Sequence, residues 1–209
     1  MKGMNMPRST ISIALLVAFL ALTACASTSL SNSWKNPQYT GGPIGKVLVV
    51  GISTQTSVRR IFEDTFAEAL HAAGVEAVAS YTLIAEDGQI PEARLKAAVE
   101  QSGVQGVLIT RMVGRESQIA VTPVPMPPPY YGGRRYYYGY YPSAWDGYYE
   151  PVSVQQFITL ISETVLYSRD DPQPAWSGIT RTAEPEDVRK ATEDFAKVVI
   201  GALRKEGLI

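Results

Sequence analysis

Thiols and imidazoles are almost missing from this chain: its 209 residues hold one cysteine, Cys25, and one histidine, His71. A lone cysteine excludes an intrachain disulfide, and the protein must hold together by packing. A lone histidine, with no thiol or serine elbow near it, leaves no nucleophile and base to pair. His71 follows Leu70 at the polar boundary of an apolar-periodic segment, where a surface or half-buried structural role is expected. Metal ligation needs clustered ligands at set spacings and no such run exists, so no metal and no cofactor are expected. A positive excess is missing too. Lys and Arg total 19 against 20 Asp and Glu, which offers no basic patch for nucleic acid or anionic lipid. The missing nucleophile, base and ligand cluster weigh against an enzyme.

What is present begins at the amino terminus. Lys2 and Arg8 precede an uncharged apolar run from Ile11 to Leu22, and Leu22-Thr23-Ala24-Cys25 closes it with small residues before the cysteine. The run is too short to span a bilayer and has the layout of a removable export signal. The ending resembles the lipobox of bacterial lipoproteins. That resemblance implies diacylglycerol on the Cys25 sulfur, cleavage before Cys25 and acylation of the new amino group. An ordinary secretory signal with a chance cysteine, or a buried apolar helix, are the alternatives. Ala26 in place of Asp, by resemblance to the sorting rule of enterobacterial lipoproteins, implies the outer membrane. Removing residues 1–24 takes away Lys2 and Arg8 and no acid, so the formal charge moves from −1 to −3. The remaining 185 residues suffice for one domain with a sizeable core.

Residues 25–45 are rich in Ser, Thr, Asn, Gly and Pro and read as a lipidated cysteine with a tether, although Trp34 and Tyr39 suggest that it packs along the domain. Residues 46–209 read as a single α/β domain. Lys46–Gly51 is a continuous β-branched run, a strand covered on both faces. Val58, Ile61, Phe62, Phe66, Ala69, Leu70 and Ala73 then recur at helical spacing, with Gly74 as the cap. Val75–Tyr81 reads as a second strand, Ala85–Gly88 as a turn, and Pro91 as the start of a second helix carrying Leu95, Ala98 and Val99 inward. Gly106–Val113 reads as a third strand and Arg115–Thr122 as a fourth. Val154–Tyr167 and Ala175–Thr182 must be antiparallel, because the short polar connection with Pro172 and Pro174 cannot make a parallel crossover. Pro185 opens a last helix with the stripe Val188, Ala191, Phe195, Val198, Val199, Ala202 and Leu203. Glu186 with Lys190 and Glu193 with Lys197 are expected to pair on its outer side, and Gly207 ends it.

The expected architecture is therefore α/β (α+β), a mixed sheet with about three helices in the order β-α-β-α-β-β, long insertion, β-β-α. The Lys-Val-Leu-Val-Val strand with its helix, the Gly106–Thr110 strand, and the hairpin from Leu166-Tyr167 to Trp176-Ser177-Gly178 resemble the α/β domains of the TolB amino-terminal region and the curli-export lipoprotein. They also resemble proteobacterial lipoproteins of unknown function, a likeness that implies a fold and no activity.

Residues 123–151 carry nine of the twelve tyrosines and half of the fourteen prolines. No periodic apolar face runs through them, so a long exposed excursion between two strands is expected, of the kind that is either functional or disordered. Tyrosine supplies rigid contact area plus a hydroxyl, which suits recognition of protein or glycan. The candidate contact residues are Tyr130, Tyr131, Arg134, Arg135, Tyr136, Tyr137, Tyr138, Tyr140, Tyr141, Trp145, Tyr148 and Tyr149, with the arginines suited to an acidic group. A loosely packed low-complexity loop is the alternative. Elsewhere, Glu63-Asp64 and Asp170-Asp171 read as hydrated, and the Gly51-Ile52-Ser53-Thr54 turn lacks the later glycines of a dinucleotide fingerprint. The expectation is a non-enzymatic lipoprotein on the periplasmic face of the outer membrane, held by lipid and binding an envelope protein or glycan, not nucleic acid. The alternative is an oligomeric secretion or pore-associated subunit. That alternative needs long strands of alternating character, which the prolines and glycines of residues 123–151 deny.

Overall fold

Continuous apolar runs become the parallel centre of the sheet. β2 (Lys46–Ile52) lies between β3 (Glu76–Ala79) and β4 (Gly106–Pro123) and is parallel to both. Parallel neighbours require crossovers, and helices α1 (Thr56–Ala72) and α2 (Glu92–Ser102) supply them. The computed structural model describes residues 28–84, 88–123, 152–185 and 187–209. Its remaining elements are β1 (Thr28–Lys35), β5 (Val152–Ser168), β6 (Pro174–Ala183) and α3 (Val188–Lys205). The six strands run in the order β1-β6-β5-β4-β2-β3, and β4, β5, β6 and β1 are joined antiparallel. The mixed α/β sheet with three helices is as expected.

Helices cover the two faces unequally. On one face α1 and α3 pack over Val47, Val49, Leu108, Leu166 and Trp176. Phe62, Phe66 and Phe195 meet there with ring centroids 5.6–5.8 Å apart, in edge-on or tilted geometry that adds about 0.5–1.5 kcal/mol per pair beyond burial. On the other face α2 sets Ala98 against Leu48, Val50 and Val107, a smaller core over the parallel strands.

Several boundaries differ from the sequence reading. The segment read as a tether contains β1, which pairs with β6 from Thr28↔Thr182 to Lys35↔Trp176. Its polar residues suit an edge strand. Thr28 shares a hydroxyl hydrogen bond with Thr182 at 2.9 Å, and Tyr39 packs against the main core while Trp34 stays half exposed. The third and fourth strands are one strand, β4, with a bulge between Met112 and Gly114. The second strand stops at Ala79 and tightens into a single 3-10 turn, Ser80–Thr82. Asp187 caps α3, accepting from the Lys190 N–H at 2.8 Å. Lys190 and Lys197 both converge on Asp194, at 2.9 and 3.4 Å, in place of the expected Glu193 pair. Lys190 chiefly holds the Asp194 carboxyl below the usual carboxylate range. Glu186 and the turn residues Ala85, Glu86 and Asp87 lie outside the described residues.

Trp176 is fully buried, and its ring lies across Gly178 two residues on, where an added Cβ would overlap it. Gly178→Ala should therefore destabilise the fold by about 1–3 kcal/mol, the cost of overpacking a fixed ring. Thermal unfolding reads this directly, and an unchanged midpoint would show that the ring has room to move.

Candidate interaction surface: a projecting arm

Strand lengths, more than any single residue, define the surface. β4 and β5 stay paired from Gly106↔Ser168 to Pro123↔Val152, but their outer neighbours end much earlier. β2 leaves β4 at Arg111, and β6 leaves β5 at Thr159. Residues 117–123 and 152–158 thus run on as a two-stranded arm, about 24 Å long at the usual rise of a strand. Glu184 finishes the β5 edge. At φ 47° its N–H donates to the Ile158 carbonyl at 2.9 Å and its carboxylate accepts from the Ile158 N–H at 2.8 Å, standing in for a strand neighbour. Beyond it, no strand among the described residues pairs with either outer edge of the arm.

The bulge decides which way the arm faces. Ahead of it Leu108 and Thr110 point to the side covered by α1 and α3, opposite Leu166 and Thr164. One extra residue inverts the parity of everything after it, so Arg115, Ser117, Ile119 and Val121 take over that side. Their partners across the arm are Leu160, Ile158, Gln156 and Val154. One face therefore gathers Ile119, Val121 and Val154, exposed by 67%, 59% and 63%, next to the half-buried Ile158 and Leu160. The reverse face carries Gln118, Ala120 and Gln155, with Phe157 as its apolar member. At the base of that reverse face, Arg111 pairs with Glu163 at 2.6 Å and Arg181 with Glu116, tying β4, β5 and β6 together.

The twelve contact residues proposed between Tyr130 and Tyr149 lie outside the described residues, as does Cys25. Their attachment points do not. β4 ends at Pro123 and β5 begins at Val152, and these two residues pair with each other at the tip of the arm.

Glu63 is the largest departure from expectation. It is not hydrated on the outer side of α1 but fully buried, with Arg59 one turn before it. One carboxylate oxygen accepts from the Arg59 Nε at 3.0 Å, the Gly51 N–H at 2.9 Å and the Ser80 hydroxyl at 2.7 Å, and the other from the Tyr81 N–H at 2.8 Å. Arg59 also donates to Ser80 at 3.0 Å. The amide of the Gly51 turn, a conceivable phosphate donor, is thus already committed. Next to this network Asp64 accepts from the Tyr81 hydroxyl at 2.8 Å, which chiefly raises the phenol pKa. The cluster fastens the start of α1 to the ends of β2 and β3, and its carboxylate is saturated by internal donors. His71 is exposed and accepts the Ala77 N–H at 2.9 Å through Nε2, the structural role expected. Among the described residues no three His, Cys, Asp or Glu side chains are grouped to hold a metal, and no helix is long and apolar enough to cross a membrane.

No family model matches the sequence, and no curated protein matches it. Solved structures do resemble the chain. PelC from Paraburkholderia phytofirmans, a dodecamer, is 14% identical over 82% of this chain and 94% of its own, with a TM-score of 0.44. Lipoprotein GNA1162 from Neisseria meningitidis is 12% identical over 77% of this chain and 99% of its own, with a TM-score of 0.39.

Proposed function

We propose that the chain is a non-enzymatic lipoprotein held by lipid on Cys25 at the periplasmic face of the outer membrane, and that it presents the segment between Tyr130 and Tyr149 to an envelope protein or glycan. The observation that carries this reading is the arm. Residues 124–151 begin and end at its tip, where Pro123 pairs with Val152 well beyond the last residues of β2 and β6, and this supports a contact role for the segment. The composition of that segment supports contact by stacking and hydroxyl hydrogen bonds, with Arg134 and Arg135 available to an acidic group. In-cell crosslinking of the full chain against a chain lacking residues 130–149 tests the reading. Loss of specific captured partners is the expected result, and an unchanged set would refute a contact role for the segment.

A second reading has an observation of its own. An arm with one apolar face and two open edges is a unit that several copies can join edge to edge, as subunits of a secretion or pore-associated assembly would. The alternation such strands need lies in residues 117–122 and 153–158, flanking the proline-rich segment. Size-exclusion chromatography with light scattering separates the readings: a monomer at micromolar concentration supports the first, a ring-sized species the second.

A further inference from the structure

Where the chain enters the sheet bears directly on the exposed apolar face. Thr28, the first residue of β1, pairs with Thr182, which pairs with Leu160, which pairs with Arg115. These four residues form one row across the sheet, and the arm starts from that row. β1 runs away from that row, so the amino-terminal end of Thr28 faces the side toward which the arm projects. Cys25 is three residues before Thr28, and three residues span at most about 11 Å. An arm of about 24 Å does not fit upright into a gap of about 11 Å. It must lie along the bilayer surface or enter it.

We propose that the Ile119, Val121 and Val154 face of the arm is a lipid-contacting surface, seated in the membrane that carries the Cys25 lipid. The proposal takes its orientation from the anchor described above, while the face itself is independent of it. Three exposed branched side chains stand on one side, beside Gln156 and Ser117, while the other carries Gln118, Ala120 and Gln155 with Phe157 alone as a large apolar member, so the exposed aliphatic area gathers on one face as it does in an amphipathic helix lying on a bilayer. The open edges set the depth. Unpaired backbone groups are costly in hydrocarbon, so a single arm rests at the level of the headgroups, where water still reaches its edges. Two charged and aromatic features fit that placement. Arg115 is exposed on the same face, about 14 Å from Ile119 at four residues' rise, in position for a lipid phosphate. The sequence that follows Pro123 carries nine tyrosines and Trp145, and such side chains favour the boundary between lipid and water.

The lone cysteine makes the test clean. In the lipidated protein Cys25 is blocked, so a cysteine introduced on the arm is the only site that takes an environment-sensitive NBD label. Six full-length variants suffice: Ile119→Cys, Val121→Cys and Val154→Cys on one face, Gln118→Cys, Ala120→Cys and Gln155→Cys on the other. All six positions are at the surface, so folding is preserved. In vesicles of phosphatidylethanolamine and phosphatidylglycerol, the first three labels should shift to the blue, brighten several-fold and resist aqueous iodide, while the other three stay quenchable. Six labels that behave alike would overturn the proposal. So would a blue shift of the first three without vesicles that grows with protein concentration, which would assign the face to a second copy. Labelling of the wild-type chain would show instead that Cys25 is free, which removes the anchor and overturns the orientation that the proposal takes from it.

Discussion

Glu63→Ala is expected to lower the stability of the domain by about 3–5 kcal/mol, the cost of removing the carboxylate from a buried ion pair. The substitution removes the acceptor for the Arg59 guanidinium, the Ser80 hydroxyl and the Gly51 and Tyr81 amides at once, in a place where water does not reach. Most of the loss is the buried Arg59 guanidinium deprived of this acceptor and the Gly51 and Tyr81 amides left without theirs, not the net strength of the pair. Two controls separate these contributions. Glu63→Gln keeps an oxygen for the amides and should cost less than alanine, and Arg59→Met combined with Glu63→Leu should recover much of the stability lost by Glu63→Ala. Urea unfolding at neutral pH measures all three, and a shift below about 1 kcal/mol for Glu63→Ala would mean that the network is hydrated after all.

Cys25→Ser is expected to move the protein from the membrane fraction to the soluble fraction. Membrane retention by acyl chains accumulates at about 0.8 kcal/mol per buried methylene, so a residue with several chains holds where a single chain binds only reversibly. The arm does not replace this. Ile119, Val121 and Val154 are three side chains in shallow contact, enough to orient a tethered domain and too few to hold it alone. Fractionation of cells, followed by a high-salt wash of the membranes, is the measurement. A Cys25→Ser chain that pellets as fully as the original would place the hold elsewhere in the molecule.

Much of the fold was legible because its central strands are continuous apolar runs and its helices have clear stripes. Lys46–Ile52 and Gly106–Thr110 need cover on both faces, and the helices supply it. β1 was not legible, since a polar edge strand with one buried threonine hydroxyl has the composition of a linker. The bulge was half legible. Gly114 interrupts the strand pattern, which marks a bulge as readily as a break between two strands, and only the register shows that it turns Ile119 and Val121 to the side of Val154. Glu63 had a signal that went unused. Arg59, Glu63, Phe66 and Leu70 lie at spacings of four, three and four, a single stripe that marks the buried face of α1. An acid and a base one turn apart read as a solvated pair, and only the strand ends beneath them show otherwise. The aromatic segment is legible in composition alone, because no periodic apolar face runs through it.

The central claim is the lipid on Cys25, because the orientation of the arm and the position of the domain both follow from it. Mass spectrometry of the chain purified from membranes tests this most directly. The account predicts a protein beginning at Cys25, with residues 1–24 removed and its amino-terminal peptide heavier by a diacylglyceryl group and an acyl chain. An intact chain that keeps Met1–Ala24 and carries a free Cys25 thiol would contradict it.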